Sequence, residues 1–149
     1  MPIMAVHKFE RFFRSAGGLD VDKEDLKRYS DFVLDKTYDM LVIAQATAKA
    51  NGRDVIDKAD LPVTKGLQEC VHDFRKLDED IELAPILQRI AAVPPLDVTV
   101  SAEATDHLPY VVGGLSVALA RTFKILDPQV KNPQTSHWER AFRVFGLLL

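Results

Sequence analysis

Four histidines (His7, His72, His107, His137) and a single cysteine, Cys70, are the side chains of this 149-residue chain best suited to metal or nucleophilic chemistry. Cys70 and His72 are the closest two. Two residues apart on a helix they point about 200° from one another, so they would not hold one metal ion together. The sequence has no HExxH, no CxxC and no carboxylate-plus-histidine cluster. Gly113-Gly114 lies between Tyr110-Val111-Val112 and Leu115-Ser116-Val117, with none of the pattern of a phosphate-binding loop. Close packing of helices is its simpler reading. Glu79-Asp80 belongs to an acidic run and reads as a solvated stretch, not an acid–base pair. Cys70 reads as a small buried hydrophobe. No catalytic residue, metal or cofactor is expected, and the chain is not expected to be an enzyme.

Charged side chains offer a second kind of chemistry. Arg53 follows Asn51-Gly52, and Asp60 stands seven residues further on. An aspartate in the first turn of a helix can accept two parallel hydrogen bonds from a guanidinium and so tie the preceding loop to that helix. The alternative use of Arg53 is to hold an anion. Lys8, Arg11 and Arg14 share the first helical segment with Phe9, Phe12 and Phe13. The plain reading of that segment is an amphipathic helix with a wet, charged side.

Composition limits these options. The chain is 47% hydrophobic and 28% charged, with formal net charge -3 and pI near 5.8. Residues 1–76 carry 13 basic and 13 acidic side chains, and residues 77–149 carry 6 and 9. Neither half is a basic module of the kind that packages DNA. One cysteine cannot form an internal disulfide, which suits a reducing cytoplasm. The start of the sequence reads as lacking a signal peptide, and no apolar run reaches the roughly 20 residues of a membrane span. A cytoplasmic protein with no membrane partner is expected.

The elements that must position these residues are helical. Residues 2–15 read as a short helix, with Pro2 in its first turn and Gly17-Gly18 stopping it. Asp22 caps a second helix that meets no Gly or Pro until Asn51-Gly52. Its roughly 28 residues would span on the order of 42 Å. Leu26, Tyr29, Val33, Met40, Ala44 and Ala48 form its apolar stripe, widened by Phe32, Leu41 and Ile43. Asp57 caps a third helix, roughly Lys58 to Lys76, and Leu77 to Glu82 reads as an acidic hinge. The order then repeats. A short helix runs from Leu83 to Ala92, then an extended stretch from Leu96 to Val100. A long helix follows, capped by Ser101, ended at Asp127-Pro128 and kinked or loosened by Pro109. The last helix is capped by Thr135. An offset of 78 places Arg11 on Arg89, Val33 on Val111 and Leu41 on Leu119. The two halves, 1–76 and 77–149, thus match in pattern within one compact unit.

Short–long–short helices joined by two extended loops resemble the histone fold. The stretches KFERFFRSAGGLDVDKEDLKR, AKANGRDVI, TKGLQE, GGLSVALARTFKILDP and KNPQTSHWERAFR resemble a bacterial and archaeal family catalogued as a domain of unknown function. Its members look like a histone dimer made from one polypeptide, and the likeness covers essentially the whole chain. It implies an all-α architecture of two tandem histone-fold halves packed as an intramolecular pseudo-dimer. It also implies a structural clamp of Arg53 with Asp60. The residues it would turn toward phosphate are Lys8, Arg11, Arg14 and Arg53, joined by Arg89 and Lys131 from the second half. The sequence departs from DNA-packaging histones where these carry a basic residue and a threonine after the clamp arginine. Here Asp54 and Val55 stand in those places. In the second half, Lys131 falls on Arg53 and Trp138 on Asp60, so that half lacks the clamp. Trp138 is expected to pack where the salt bridge is missing. The leading expectation is a histone-like architectural protein, found with the nucleoid, that binds duplex DNA weakly and without sequence preference. The alternative is an interaction module that binds a protein partner or a second copy and no DNA.

Overall fold

The computed structural model describes residues 3–90 and 94–149, so the expectations for Pro2 and for the end of the short helix at Ala92 lie outside the described residues. The chain is all-helical apart from two short strands. Helices α1 (Ile3–Gly17) and α2 (Lys23–Ala50) come first, then strand β1 (Val55–Ile56) and helix α3 (Lys65–Ile81). Helix α4 (Ala84–Ile90), strand β2 (Thr99–Val100), helix α5 (Ala102–Leu126) and helix α6 (Thr135–Leu148) follow.

Helix ends follow local chemistry. Asp22 accepts from the Asp25 amide at 2.9 Å, and Asp25 accepts from the Asp22 amide at 3.0 Å, a reciprocal cap that starts α2. Ser101 caps α5 through the Ala104 amide at 3.1 Å. Gly18, with φ +63°, turns the chain out of α1 as glycine readily does. α6 starts differently from expectation. Gln134 is its N-cap, and the Thr135 hydroxyl instead accepts from Arg28 at 2.7 Å.

Helix α3 also departs from its expected span. Lys58–Asp60 form a separate 3-10 turn, and α3 begins only at Lys65, capped by Thr64. Pro62 explains the break, since it disfavours helical geometry at Leu61 and has no N–H to donate. The acidic stretch expected to be a hinge is helical through Ile81, and the 76/77 division falls inside α3. The turn comes at Glu82, in the left-handed region (φ 57°), where Asp78 Oδ1 accepts from the Leu83 and Ala84 amides at 2.5 and 3.1 Å.

α5 is the central helix. Thirteen of its 25 residues are buried, including every one from Val111 to Val117, so that stretch is covered on all sides. It packs against α1, α3, α4 and α6. Pro109 is buried within it, and the helix runs through without a break. The α3 approach depends on Gly113 and Gly114. A Cβ on Gly113 would lie 2.3 Å from the Phe74 ring, and one on Gly114 would lie 2.9 Å from the Val71 backbone nitrogen. Around this contact Phe9, Phe12, Phe13, Tyr29, Phe74, Phe123 and Trp138 form a fully buried aromatic core.

The long helices touch through Tyr29 and Ser116, whose hydroxyls are 2.6 Å apart. Ile43, expected in the apolar stripe, is 53% exposed.

Two loop junctions tie the front of the chain to the back. β1 pairs in parallel with β2, Val55 opposite Thr99 and Ile56 opposite Val100. At the other junction the Asp20 amide, after α1, donates to the Lys131 carbonyl, after α5, at 2.7 Å. Each loop of one half is therefore hydrogen-bonded to a loop of the other. Among the described residues no helix is long and apolar enough to cross a membrane.

Candidate nucleic-acid interface

Arg53 and Asp60 meet as a bidentate pair. Nη1 donates to Oδ2 at 2.6 Å and Nη2 to Oδ1 at 2.7 Å. Arg53 Nη1 also reaches Asp57 at 3.0 Å and the Val55 carbonyl at 3.2 Å, while Asp60 accepts from the Asp57 amide at 2.8 Å. Asp60 is only 5% exposed, held in the 3-10 turn and not in α3 itself. Its hydrogen bonds from Arg53 lower its pKa to about 2, and the same contact raises that of Arg53. The guanidinium is thus engaged by two carboxylates and a carbonyl, with Asp54 exposed beside it.

The other candidate cations separate into distinct places. Lys8 Nζ donates to the Glu82 carbonyl and Arg11 Nη1 to the Asp80 carbonyl, each at 3.3 Å. Both therefore sit at the C-terminal end of α3, where the helix dipole favours positive charge. Arg14 Nε lies 3.4 Å from Asp20, and Lys131 Nζ lies 3.9 Å from the same carboxylate. These two side chains stay 66% and 73% exposed at the Asp20–Lys131 junction. Arg89 is exposed on α4. Arg14 and Lys131 are brought together; Arg53 lies at the other junction, beside β1 and β2.

The second half has a latch that its sequence alignment with the first did not reveal. His137 Nε2 and Asp127 Oδ2 lie 2.9 Å apart, closing the loop between α5 and α6. That bond is the largest cause of a lowered Asp127 pKa. Trp138, standing where the first half has Asp60, is buried against Phe13, Phe123 and Phe142. Its indole N–H donates to Asp25 Oδ1 at 2.8 Å. Asp25 is 5% exposed; burial raises its pKa, against the hydrogen bonds from the Asp22 amide and Trp138. The one available signal was Asp25 itself, a carboxylate at the buried edge of an amphipathic helix, which demands a partner.

Cys70 is half-buried and burial raises its thiol pKa, so it has little thiolate character. His72 is exposed, and His107 is depressed by burial and by Lys58 and Arg75. Among the described residues no three His, Cys, Asp or Glu side chains are placed to hold a metal ion.

The family model described as "Domain of unknown function (DUF1931)" matches residues 9–146. Two Aquifex aeolicus (strain VF5) proteins, both described as uncharacterized, are similar to the chain. One is 29% identical over 117 residues (78% of this chain, 68% of the relative), the other 26% identical over 142 residues (83% and 80%). A crystal structure of a Thermus thermophilus protein, ttk003001566, has TM-score 0.86 at 56% identity and 97% coverage of both chains. That of Aquifex aeolicus AQ328 has TM-score 0.85 at 25% identity, covering 97% of this chain and 95% of that one.

Proposed function

The chain belongs to the family described as a domain of unknown function, DUF1931, and we propose that it is a doubled histone fold serving as a protein-interaction scaffold. The short–long–short helix order, the reciprocal loop junctions and the Arg53–Asp60 pair support that fold. The observation that carries the functional reading is the state of the cations. Arg14 and Lys131 share Asp20, and Arg53 is held by Asp57 and Asp60. A phosphate contact gains its energy by releasing counterions from DNA to a free cation. A cation already paired has to give up that partner first, and exposed Asp54 adds repulsion next to Arg53.

A second reading, weak duplex binding without sequence preference, is favoured by the exposure of Arg14 and Lys131 at one junction. Fluorescence anisotropy of a labelled duplex at low and moderate salt separates the two. The scaffold reading expects no binding by the wild-type chain at either. Salt-dependent binding in the range of roughly 10⁻⁴–10⁻⁶ M, weakened when Arg11 and Arg14 are removed together and tightened by Asp54→Lys, would establish the second reading in its place. In both readings the protein resides in the cytoplasm, at the nucleoid if DNA is bound.

A further inference from the structure

Helix α2 leaves one face uncovered. Leu34, Tyr38 and Val42, which are 46%, 51% and 37% exposed, follow one another at four-residue spacing. Asp31, Asp35 and Asp39 run beside them at the same spacing. Residues four apart on a helix lie nearly above one another, so the two rows climb one side together. Next to the acidic row the surface falls into a groove of about 440 Å³ between α2 and α6. Phe32 and Phe142 line it, their rings stacked with centroids 5.2 Å apart. The cation in the groove, Lys36, is only 12% exposed and lies 3.3 Å from Asp39. Between residues 31 and 42 the exposed side chains of this face are hydrocarbon and carboxylate.

An apolar row exposed beside a groove is where a partner helix could bury hydrocarbon. The acidic row selects the partner. A second copy docking through the same face would set the same carboxylates against one another, and like charges across an interface oppose association. Nucleic acid is repelled by the same charges. A helix with a cationic flank and a row of large apolar side chains satisfies both features, in the helix-in-groove mode. We propose that the α2–α6 groove docks an amphipathic, Lys- or Arg-flanked helix of a partner protein. This inference rests on the scaffold reading and gives it a site.

The test uses the full chain, isotope-labelled for amide spectra. Three peptides of about 18 residues, five helical turns, are titrated in. One is Leu/Lys with a helical period, one is its Leu/Glu counterpart, and one is Leu/Lys of the same composition with the period scrambled. The periodic Leu/Lys peptide is expected to bind and to move the amides of residues 31–42 and of Phe142, while the other two do not. Tyr38→Ser, at an exposed position, should weaken binding about thirtyfold, the scale of a hot-spot side chain. Asp31→Lys with Asp35→Lys should transfer the preference to the Leu/Glu peptide. The proposal is overturned if the periodic Leu/Lys peptide does not bind, if the scrambled peptide binds equally, or if the shifts map elsewhere. It is equally overturned if Tyr38→Ser instead converts a dimer to a monomer, which would make a second copy the occupant. None of these results removes the scaffold reading, which stands or falls on the duplex titration.

Discussion

Gly113→Ala should destabilise the protein, although alanine is the better helix former. In an open helix interior the exchange gains about 1 kcal/mol. Here the added Cβ would lie 2.3–2.4 Å from three carbons of the Phe74 ring. Carbon atoms settle at about 3.5–4.0 Å, so the ring or the helix must move by more than about 1 Å. The ring is confined: Phe74 is fully buried and packs edge-on to Phe12 and Tyr110, with centroids at 6.0 and 6.3 Å. Overpacking of this severity belongs at the upper end of the roughly 1–3 kcal/mol range. After the propensity gain, a net loss of about 2 kcal/mol remains. For a chain of this size that lowers Tm by about 4–8 °C.

Thermal melts and urea titrations read the effect, with Gly66→Ala as control, because nothing lies within 4 Å of a Cβ there. The control should hold or slightly raise Tm. Phe74→Ala removes the clashing ring, so its combination with Gly113→Ala should cost less than the sum of the two single changes. If Gly113→Ala raises Tm as the control does, close α3–α5 packing is not what glycine provides at this position.

Three further outcomes are expected. Arg53→Ala and Asp60→Ala should each lower stability, with the double variant little worse than either; strict additivity in the cycle would show that the pair is not coupled. Because the folded pKa of Asp60 is depressed to about 2 from 3.8, its contribution is present above pH about 4 and is lost as pH falls through about 2. Asp60→Ala should flatten that part of an acid-denaturation curve. Trp138→Phe keeps an aromatic ring but leaves Asp25 without its indole donor, and should cost about 1–3 kcal/mol in urea titrations; an unchanged midpoint would mean the bond contributes nothing net. Residues 1–82 alone should give no cooperative melt as a monomer, since α1 and α3 lose the buried face of α5; a sharp monomeric transition would show the first half to be self-sufficient.

Features written in local chemistry were legible in the sequence. The ends of α2, its Asp22 cap, the Ser101 cap and the close-packing use of Gly113-Gly114 all follow from residue type and neighbours. Spacing alone brought Arg53 and Asp60 into one view, but not the 3-10 turn, which Pro62 enforces after Asp60. The helical stretch to Ile81 was missed because its acidic composition outweighed its apolar spacing of Leu77 and Ile81. Partners distant in sequence were less accessible still. Asp20 with Lys131, Trp138 with Asp25, and β1 with β2 depend on how the loops meet in space. Ile43 looked like part of an apolar stripe, yet whether a stripe's edge is covered depends on the width of its neighbour. His137 with Asp127 escaped notice because the 78-residue offset compares equivalent positions. This latch uses different residue types at a different spacing.

The two junctions differ in charge, and that difference bears on what the molecule can do. At one, Arg14 and Lys131 are two exposed cations on a single shared carboxylate, Asp20. At the other, Arg53 and exposed Lys58 are outnumbered by Asp54, Asp57 and Asp60, a local excess of one negative charge. An architectural protein bends a duplex by holding it at separated points, and the contacts repay the cost of deformation. One favourable end and one repulsive end provide a single point of hold. With two usable cations the salt dependence of such binding would have a slope of only about 2. The acidic face of α2 opposes phosphate on a further surface. The Arg53 cluster is better suited to fixing the loop that carries β1 against β2.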